Sequence, residues 1–199
     1  MSRAIFLDRD GVINRKPIEG RYVTRWEDFH ILPGAAEGIA LLNRAGFCVI
    51  VVTNQRCIAK GLMTVADLEA MHHRMSDLLA RAGASIDGIY YCPHDIEPAC
   101  RCRKPAPGML LDAARACGFD LSASWMIGDS DIDVKAGRNA GCKTARLEAS
   151  HEQADEPRRP NVTQSDADIV ASSLLDAIRQ ILGSEAAAAG SLATDVAAI

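Results

Sequence analysis

Short apolar segments alternate with amphipathic segments along most of the chain. Runs of apolar and β-branched residues predict buried strands at residues 3–8, 47–53, 86–91, 124–127 and 143–147, with a last short strand at 168–171. Between these runs, apolar residues recur every three or four positions, which predicts helices at residues 34–45, 105–117, 129–139 and 174–182, and from an N-cap at Thr64 onward. Such alternation favours an α/β fold with helices covering both faces of a mostly parallel sheet.

The pattern also suggests where the folded domain ends. Residues 1–182 are predicted to form one domain, because a chain of this length supports one hydrophobic core and is too short for two. Residues 148–166 are polar and contain prolines, which predicts a surface loop. Residues 183–199 are rich in alanine with little patterning, and we expect this tail to be disordered.

Composition narrows the class of protein. The chain has 199 residues, of which 48% are hydrophobic and 24% charged, as is typical of a soluble globular protein. A net charge of −4 argues against binding nucleic acid through bulk charge, and no apolar run approaches the roughly 18 residues of a membrane span. The cysteine count of seven is odd and no signal peptide opens the chain. We therefore expect a cytoplasmic protein without nucleic-acid or membrane partners.

Polar residues are concentrated where predicted strands end. In open parallel sheets, ligands bind beyond the carboxyl ends of the strands, so these residues are the first candidates for a site. Four such ends read Asp8-Arg9-Asp10-Gly11, Thr53-Asn54-Gln55, Cys92-Pro93-His94 and Gly128-Asp129-Ser130-Asp131. One edge of the predicted sheet is therefore expected to carry the chemistry.

The first strand end suggests a metal site. Asp8 and Asp10 are two residues apart on an extended segment, so their side chains project to the same side, and Gly11 permits a sharp turn after them. Two neighbouring carboxylates favour a divalent cation between or beside them, most plausibly Mg²⁺, which would draw in a phosphate. Taken alone, the pair fits an acidic surface turn equally well.

The other strand ends strengthen this interpretation. Thr53 and Asn54 offer a hydroxyl and an amide as donors to a phosphoryl oxygen. Lys104 precedes a proline that we expect to begin a helix, which would fix its ammonium group at an anion-attracting helix N-terminus. Asp129 and Asp133 supply two more carboxylates, for the metal and for orienting Lys104. Together these positions make a chance arrangement improbable.

A second cluster has the spacing of metal ligands. The pattern C-x-H-x₅-C-x-C is formed by Cys92, His94, Cys100 and Cys102. Three thiols and one imidazole match a closed structural Zn²⁺ site, whereas free thiols or a redox pair would leave part of the cluster unexplained. Zinc here would pin the loop that delivers Lys104 to the end of the third strand.

The four strand-end motifs resemble those of the haloacid dehalogenase (HAD) superfamily, on the residues Asp8 to Asn14, Thr53 to Gln55, Arg103 to Pro105, and Gly128 to Ser130 with Asp133. The resemblance implies a Rossmann-like three-layer α/β/α fold over residues 1–182. It also implies that Asp8 attacks phosphorus, that Asp10 protonates the leaving oxygen and then activates water, and that Thr53 and Lys104 stabilise the phosphoryl group. Mg²⁺ would be held by Asp8, Asp129 and the backbone carbonyl of Asp10. An acid at position 10 implies that the phosphorylated aspartate is hydrolysed, as in a phosphatase.

The spacing of the motifs leaves no room for an inserted cap domain, since a helix and a strand use most of each interval. The predicted site is therefore open and bounded by residues 15–22, residues 55–63 and the zinc loop. These loops carry a local excess of basic residues, namely Arg15, Lys16, Arg21, Arg56, Lys60, Arg101 and Arg103. A second phosphate on the substrate would explain this excess, and solvated loop charges explain it equally well for every residue except Arg103.

A narrower resemblance connects these motifs, the zinc loop and a YV…LPGA segment to bacterial D-glycero-D-manno-heptose 1,7-bisphosphate 7-phosphatases, of lipopolysaccharide precursor synthesis. It implies a phosphorylated sugar as substrate and the 1-phosphate as product, and we expect the enzyme to be a monomer. The substrate would be lined by Glu19, Gly20, Arg21, Tyr22, Thr53, Asn54, Gln55, Arg56, Arg103 and Lys104. Arg56-Cys57 departs from the usual Ser-Gly, and Arg56 could bind the 1-phosphate directly.

Two other functions fit parts of the pattern. Histidinol-phosphate phosphatases share nearly all of these motifs, so their substrate is the first alternative. A zinc-stabilised interaction module without catalysis is the second, and the presence of Asp8, Asp10, Lys104 and Asp129 argues against it.

Overall fold

The computed structural model describes residues 2–18, 20–148 and 166–196. Six strands form one sheet, β1 (Ala4–Leu7), β2 (Cys48–Asn54), β3 (Gly88–Cys92), β4 (Trp125–Gly128), β5 (Lys143–Leu147) and β6 (Ile169–Ala171). Five α-helices accompany them, α1 (Ala35–Arg44), α2 (Val65–Arg81), α3 (Gly108–Cys117), α4 (Asp131–Ala140) and α5 (Leu174–Val196). The strand order is β3-β2-β1-β4-β5-β6 and every pairing is parallel.

The sheet is covered by helices on both faces. Along β1 the side chains alternate, so Ile5 and Leu7 pack into the core beneath α1, α2 and α5, while Ala4 and Phe6 pack into the core beneath α3 and α4. All four residues of β1 are buried because both faces of this central strand are covered. The predicted three-layer α/β/α fold is confirmed.

The register of the sheet brings the predicted site residues to one edge. Leu7 pairs with Val51 of β2 and Ile127 of β4, so the chain leaves β1 between these two neighbours. The backbone N–H of Asp8 extends the ladder by donating to the carbonyl of Ile127 at 3.0 Å. The crossovers from β1 lie on one face of the sheet, and those around β4 lie on the other. Open α/β sheets bind ligands beyond the strand ends at the point where the crossovers change face in this way.

Two helix boundaries differ from the sequence prediction. Helix α3 begins at Gly108 rather than at residue 105, because turns occupy residues 101–106 and a Cβ atom at Gly108 would overlap the carbonyl oxygen of Arg101. Helix α5 continues through Gly183 to Val196, where we expected it to end at residue 182 before an irregular tail. Alanine is the best helix former, and five of the fourteen residues from 183 to 196 are alanine, so an absent amphipathic pattern did not mean an absent helix.

The N-cap prediction for α2 is confirmed. The Thr64 hydroxyl accepts a hydrogen bond from the backbone N–H of Asp67, and the Asp67 carboxylate accepts one from the backbone N–H of Thr64.

The loops at the site edge are too short to form a cap domain. Among the described residues from 11 to 34, the only regular element is a 3₁₀ turn at Trp26–Asp28. Between β2 and Lys104, the described chain contributes α2, β3 and connecting loops. The prediction of a capless site is confirmed for this part of the chain. None of the described helices combines the length and apolar character needed to cross a membrane.

Candidate active site

A buried lysine lies between two carboxylates at the centre of the sheet edge. The Nζ atom of Lys104 lies 2.9 Å from Asp8 and 2.6 Å from Asp133, and it donates to the carbonyl of Val52 at 2.8 Å. Only 3% of Lys104 is exposed. Burial alone would lower its pKa, but the two carboxylates more than offset this and raise the pKa above its ordinary value. The ammonium therefore stays charged at the point where a phosphoryl group would arrive.

The carboxylates around it form a cation site. Oxygen atoms of Asp8, Asp129 and Asp133 lie within 4.8 Å of one another. Burial raises the pKa of Asp8 to about 7 although Lys104 opposes the shift, and repulsion from the neighbouring aspartates adds to it. Burial likewise raises the pKa of Asp129. Buried acids that crowd one another in this way fit a divalent cation with oxygen ligands such as Mg²⁺.

The Asp133 carboxylate has hydrogen-bond and ion-pair partners within the protein. Its carboxylate accepts hydrogen bonds from the Ser130 hydroxyl at 2.5 Å and the Ser130 backbone N–H at 3.2 Å, besides pairing with Lys104. Gly128 makes this position possible, because a Cβ atom there would overlap the Asp133 side chain. The Asp133 carboxylate is thus engaged by Ser130 and Lys104, which is compatible with its predicted role in orienting Lys104.

Gly11 makes the turn that the sequence predicted. Its φ of +93° lies in the region that glycine adopts without strain, and a Cβ atom at this position would overlap the carboxylate of Asp129. The turn after β1 and the loop after β4 can approach each other only because residue 11 has no side chain.

The position of Lys104 has a different cause from the one predicted. Lys104 lies four residues before α3 and not at its N-terminus. Its backbone N–H donates to Asn54 Oδ1 at 3.0 Å, and its carbonyl accepts from Asn54 Nδ2 at 3.1 Å. The Asn54 amide thus clamps the main chain of Lys104 to the end of β2. The sequence analysis assigned Asn54 to substrate binding and did not predict this structural role.

Asp10 is held by three side chains. Arg9 donates to both of its carboxylate oxygens, at 3.1 and 3.0 Å through Nη2, and Asn14 donates at 2.8 Å. Gln55 donates to Asp10 at 3.2 Å and to the hydroxyl of Thr53 at 2.8 Å, and only 2% of Gln55 is exposed. Gln55 therefore connects Thr53 to Asp10 from inside the protein and does not line an open surface as predicted.

The cysteine and histidine side chains converge at the end of β3. The three Sγ atoms of Cys92, Cys100 and Cys102 lie 3.3 to 3.5 Å apart, and His94 Nδ1 lies 3.6 Å from Cys92 and 3.2 Å from Cys102. Tetrahedral zinc, with bonds of about 2.3 Å to sulfur and about 2.0–2.1 Å to nitrogen, requires ligand atoms roughly 3.5–3.8 Å apart. The spacing therefore fits such an ion, and all seven cysteines are free thiols.

Electrostatics at this cluster also favours a cation. Hydrogen bonds from Cys102 and from the backbone N–H of Arg103 outweigh burial and lower the pKa of Cys100 to about 6. Burial and the neighbouring sulfur atoms raise the pKa of Cys102 to about 12. Thiols this close together resist ionising at the same time because their thiolates repel one another. A metal ion that binds them as thiolates removes this repulsion.

The metal-binding loop connects β3 to Lys104. The Cys92 carbonyl accepts from the backbone N–H of Gln55 at 2.8 Å, and Arg103 donates to the His94 carbonyl at 3.3 Å. The loop, residues 93–103, begins at the end of β3 and ends one residue before Lys104, as predicted.

The predicted substrate loops meet at the mouth of the site. The Arg56 guanidinium pairs with the Asp95 carboxylate at 2.5 Å, which joins the loop after β2 to the metal-binding loop. The Lys60 ammonium lies 5.2 Å from the centre of the half-buried Tyr22 ring, while Gly20 and Arg21 are exposed. Glu19, also predicted to line the substrate, lies outside the described residues.

Sequence reasoning missed three residues at the site. It assigned no role to the buried Arg9 or Asn14, and Lys16 was counted only among the loop charges. The Lys16 ammonium lies 2.6 Å from the Asp129 carboxylate. An arginine between two acids in Asp8-Arg9-Asp10 was the available signal, because a charged side chain beside a buried strand needs a partner.

Comparisons with known proteins identify the family to which the chain is related. A family model described as HAD-hydrolase-like matches residues 101–177. The D-glycero-beta-D-manno-heptose-1,7-bisphosphate 7-phosphatase of Pseudomonas aeruginosa is 44% identical over 144 residues, covering 72% of this chain and 80% of that protein. The protein of the same name in Escherichia coli K12 is 40% identical over 149 residues, covering 70% of this chain and 76% of that protein.

A solved structure extends the similarity to three dimensions. The crystal structure of D,D-heptose 1,7-bisphosphate phosphatase from B. bronchiseptica, complexed with magnesium and phosphate, matches with a TM-score of 0.78 and 34% identity. The match covers 92% of this chain and 99% of that one. With this identity and coverage, the chain belongs to the heptose bisphosphate phosphatases of the haloacid dehalogenase-like hydrolases and is a phosphoric monoester hydrolase.

Proposed function

We propose that this protein is a Mg²⁺-dependent D-glycero-D-manno-heptose 1,7-bisphosphate 7-phosphatase, whose product is the 1-phosphate used in lipopolysaccharide precursor synthesis. The observation that carries the proposal is the buried grouping of Asp8, Lys104 and Asp133 beside Asp10 and Asp129, in a chain 40–44% identical to enzymes of that name. We place the enzyme in the cytoplasm as a monomer.

Asp8 is the proposed nucleophile. Its carboxylate attacks phosphorus, the P–O bond to the sugar breaks, and an aspartyl-phosphate forms while the leaving oxygen takes a proton from Asp10. Asp10 then accepts a proton from water as the water attacks the phosphoryl group, which regenerates Asp8 and releases phosphate. Asp10 suits both steps because its position in the turn after β1 is fixed by Arg9, Asn14 and Gln55.

Charge stabilisation comes from groups that are already in place. Lys104 presents its ammonium 2.9 Å from Asp8, and the Thr53 hydroxyl, one residue before the end of β2, accepts a hydrogen bond from Gln55. Preorganised donors of this kind stabilise the charge that develops on the phosphoryl oxygens. Mg²⁺, held by Asp8, Asp129 and the backbone carbonyl of Asp10, supplies further neutralisation of that charge when bound.

The second phosphate of the substrate has basic side chains available at the mouth of the site. Arg56 is held there by Asp95, and Arg103 is held by the His94 carbonyl. A guanidinium that is already oriented loses less conformational entropy when it binds a phosphate. Gly20, Arg21 and Tyr22 belong to the adjacent loop and complete the proposed substrate surface.

The Cys92, His94, Cys100 and Cys102 cluster is proposed to hold Zn²⁺ in a structural role. Four protein ligands fill a tetrahedral site and leave no position for water. The ion would keep the loop that carries Arg103 and Lys104 attached to β3.

Turnover of two substrates tests the proposed function. With Mg²⁺, we expect the purified protein to convert the heptose 1,7-bisphosphate to the 1-phosphate, identified by ³¹P NMR, and to hydrolyse histidinol phosphate at least tenfold less efficiently. Asp8→Asn should abolish phosphate release. Preference for histidinol phosphate would overturn the substrate, and activity that survives Asp8→Asn would overturn the mechanism.

A further inference from the structure

The Arg9 side chain connects the proposed acid–base residue to helix α2. The side chain is 1% exposed, and its Nη2 and Nε atoms face the Asp10 carboxylate at 3.0 to 3.3 Å. Its Nη1 atom lies 3.3 Å from Nε2 of His72 and 3.7 Å from the sulfur of Met71. One edge of the guanidinium therefore binds Asp10 and the other is fixed by α2.

We propose that His72 is a positioning residue for Asp10 and acts by holding Arg9 in the orientation that fixes the Asp10 carboxylate. This inference rests on the proposed role of Asp10 as general acid and base. Nothing in the mechanism so far uses His72.

The chemistry of the contact fixes the state of His72. Arginine has donors and no acceptor, so Nε2 must be the accepting nitrogen and the ring proton must lie on Nδ1. Burial, together with the nearby guanidinium of Arg9, lowers the pKa of His72 to about 3. The ring is therefore neutral at neutral pH and keeps its acceptor.

The contact matters because few groups restrain Arg9. A long side chain has many rotamers, and burial in one of them requires contacts that define it. Asp10 defines one edge, His72 and Met71 define the other, and the Phe29 ring lies 5.8 Å from the guanidinium carbon. Without the His72 acceptor, the guanidinium can turn toward other acceptors and release one side of Asp10. Asn14 and Gln55 still hold Asp10, so the effect should be partial.

Two substrates with different leaving groups distinguish a misplaced general acid from a general loss of structure. Protonation helps the departure of a sugar alkoxide and hardly matters for p-nitrophenolate, which leaves without it. General acid catalysis is worth about 10²–10⁴-fold, so partial misplacement of the acid should lower kcat/KM for the heptose bisphosphate about tenfold. The value for p-nitrophenyl phosphate should change less than about twofold, and KM for either substrate should change little.

Three variants test the inference. His72→Phe keeps a ring of similar size and removes the acceptor, His72→Gln restores an acceptor oxygen, and His73→Phe changes the exposed neighbour as a matched control. We expect the selective loss in His72→Phe, substantial rescue in His72→Gln and no loss in the control. If His72→Phe does not fold, His72→Leu replaces it. Equal losses on both substrates, or no loss, would overturn the inference.

A spectroscopic measurement tests the same contact without turnover. The ¹⁵N chemical shifts of His72 should identify the neutral Nδ1–H tautomer from pH 6 to pH 8, because Nε2 accepts from Arg9. A ring protonated at Nε2 would overturn the proposal. If the wild-type protein hydrolyses neither substrate while the tautomer is as expected, the proposed function fails and the contact stands.

Discussion

At the scale of single residues, the site depends on charges that are unfavourable one at a time. Burial disfavours the charged forms of Lys104, Asp8 and Asp133. The contacts of the Lys104 ammonium with the two carboxylates, at 2.6 to 2.9 Å, oppose this effect. Asp8 and Asp129 keep raised pKa values chiefly because they are buried, although Lys104 opposes the shift at Asp8 and Lys16 opposes it at Asp129. The remaining negative charge is what a divalent cation would neutralise.

The raised pKa of Asp8 predicts that Mg²⁺ binding releases protons. The pKa of Asp8 is about 7 because burial and the neighbouring aspartates favour its neutral form, whereas the cation binds the ionised form. Binding at pH 6 should therefore release protons and binding at pH 8 almost none, with affinity rising up to about pH 7 and level above. Titration calorimetry in two buffers of different ionisation enthalpy measures the number of protons released.

The control for this measurement is Asp8→Asn, which removes the titrating carboxyl. Residual binding in that variant should release fewer protons at pH 6. His72 cannot contribute, since burial keeps its pKa at about 3. The same proton release at both pH values would contradict the assignment.

Arg56 allows a test of the second phosphate. Its guanidinium is anchored by Asp95, and we expect it to contact the phosphate that is not hydrolysed. Arg56→Ser should raise KM about tenfold for a sugar bisphosphate, equivalent to about 1.4 kcal/mol, and change KM for a monophosphate much less. Steady-state kinetics on both substrates measure the difference.

Arg101→Ser provides a matched control, because Arg101 lies on the same loop system but pairs with Asp112 of α3 at 3.0 Å. It should leave both KM values unchanged. Equal increases for both substrates in Arg56→Ser would exclude a contact specific to the second phosphate.

At the scale of elements, the segments that follow β1, β2, β3 and β4 supply the parts of the site, and other groups of the protein fix them. Asn54 at the end of β2 clamps the backbone of Lys104, and the capping box of α4 orients Asp133. The turn after β1 carries Arg9, which reaches α2. Lys104 and Arg9 are thus held by segments distant in the chain, which limits their motion more than their own loops could, whereas Asp133 is held locally by Ser130.

The metal-binding loop gives an element-scale prediction. A Cys100→Ser and Cys102→Ser double variant should lose zinc, and kcat should fall at least tenfold because Lys104, two residues beyond Cys102, is no longer held against β2. Metal content by emission spectroscopy and turnover of the bisphosphate measure the two effects together.

Cys117→Ser is a suitable control, since Cys117 is exposed at the end of α3 and away from the cluster. It should retain zinc and activity. Full turnover in the zinc-free double variant would show that the loop positions Lys104 without the metal.

At the scale of the whole molecule, the parallel sheet decides which residues can meet. β1 lies between β2 and β4, so the segments after residues 7, 54 and 128 emerge side by side although they are far apart in the chain. Described residues add no cap domain over this edge, and the site is reached between three loops. An open edge suits a substrate that brings its own second charged group.

The sequence by itself determined the elements and the edge on which the site lies. Apolar periodicity distinguishes buried strands from helices, and the carboxyl ends of parallel strands share one edge, so Asp8, Thr53, Lys104 and Asp129 could be grouped without coordinates. Its errors in secondary structure were local: α3 begins later than predicted, and an alanine-rich stretch is helical.

Only the tertiary structure decided how the groups are held. Asn54 clamps Lys104 across 50 residues of chain, and Arg9 reaches His72 across 63. No local pattern encodes such contacts, because a side-chain amide or imidazole has the same appearance in a sequence whether it faces solvent, substrate or the backbone of a distant loop. Packing selects among these possibilities, since a buried polar group must find a partner within hydrogen-bonding distance.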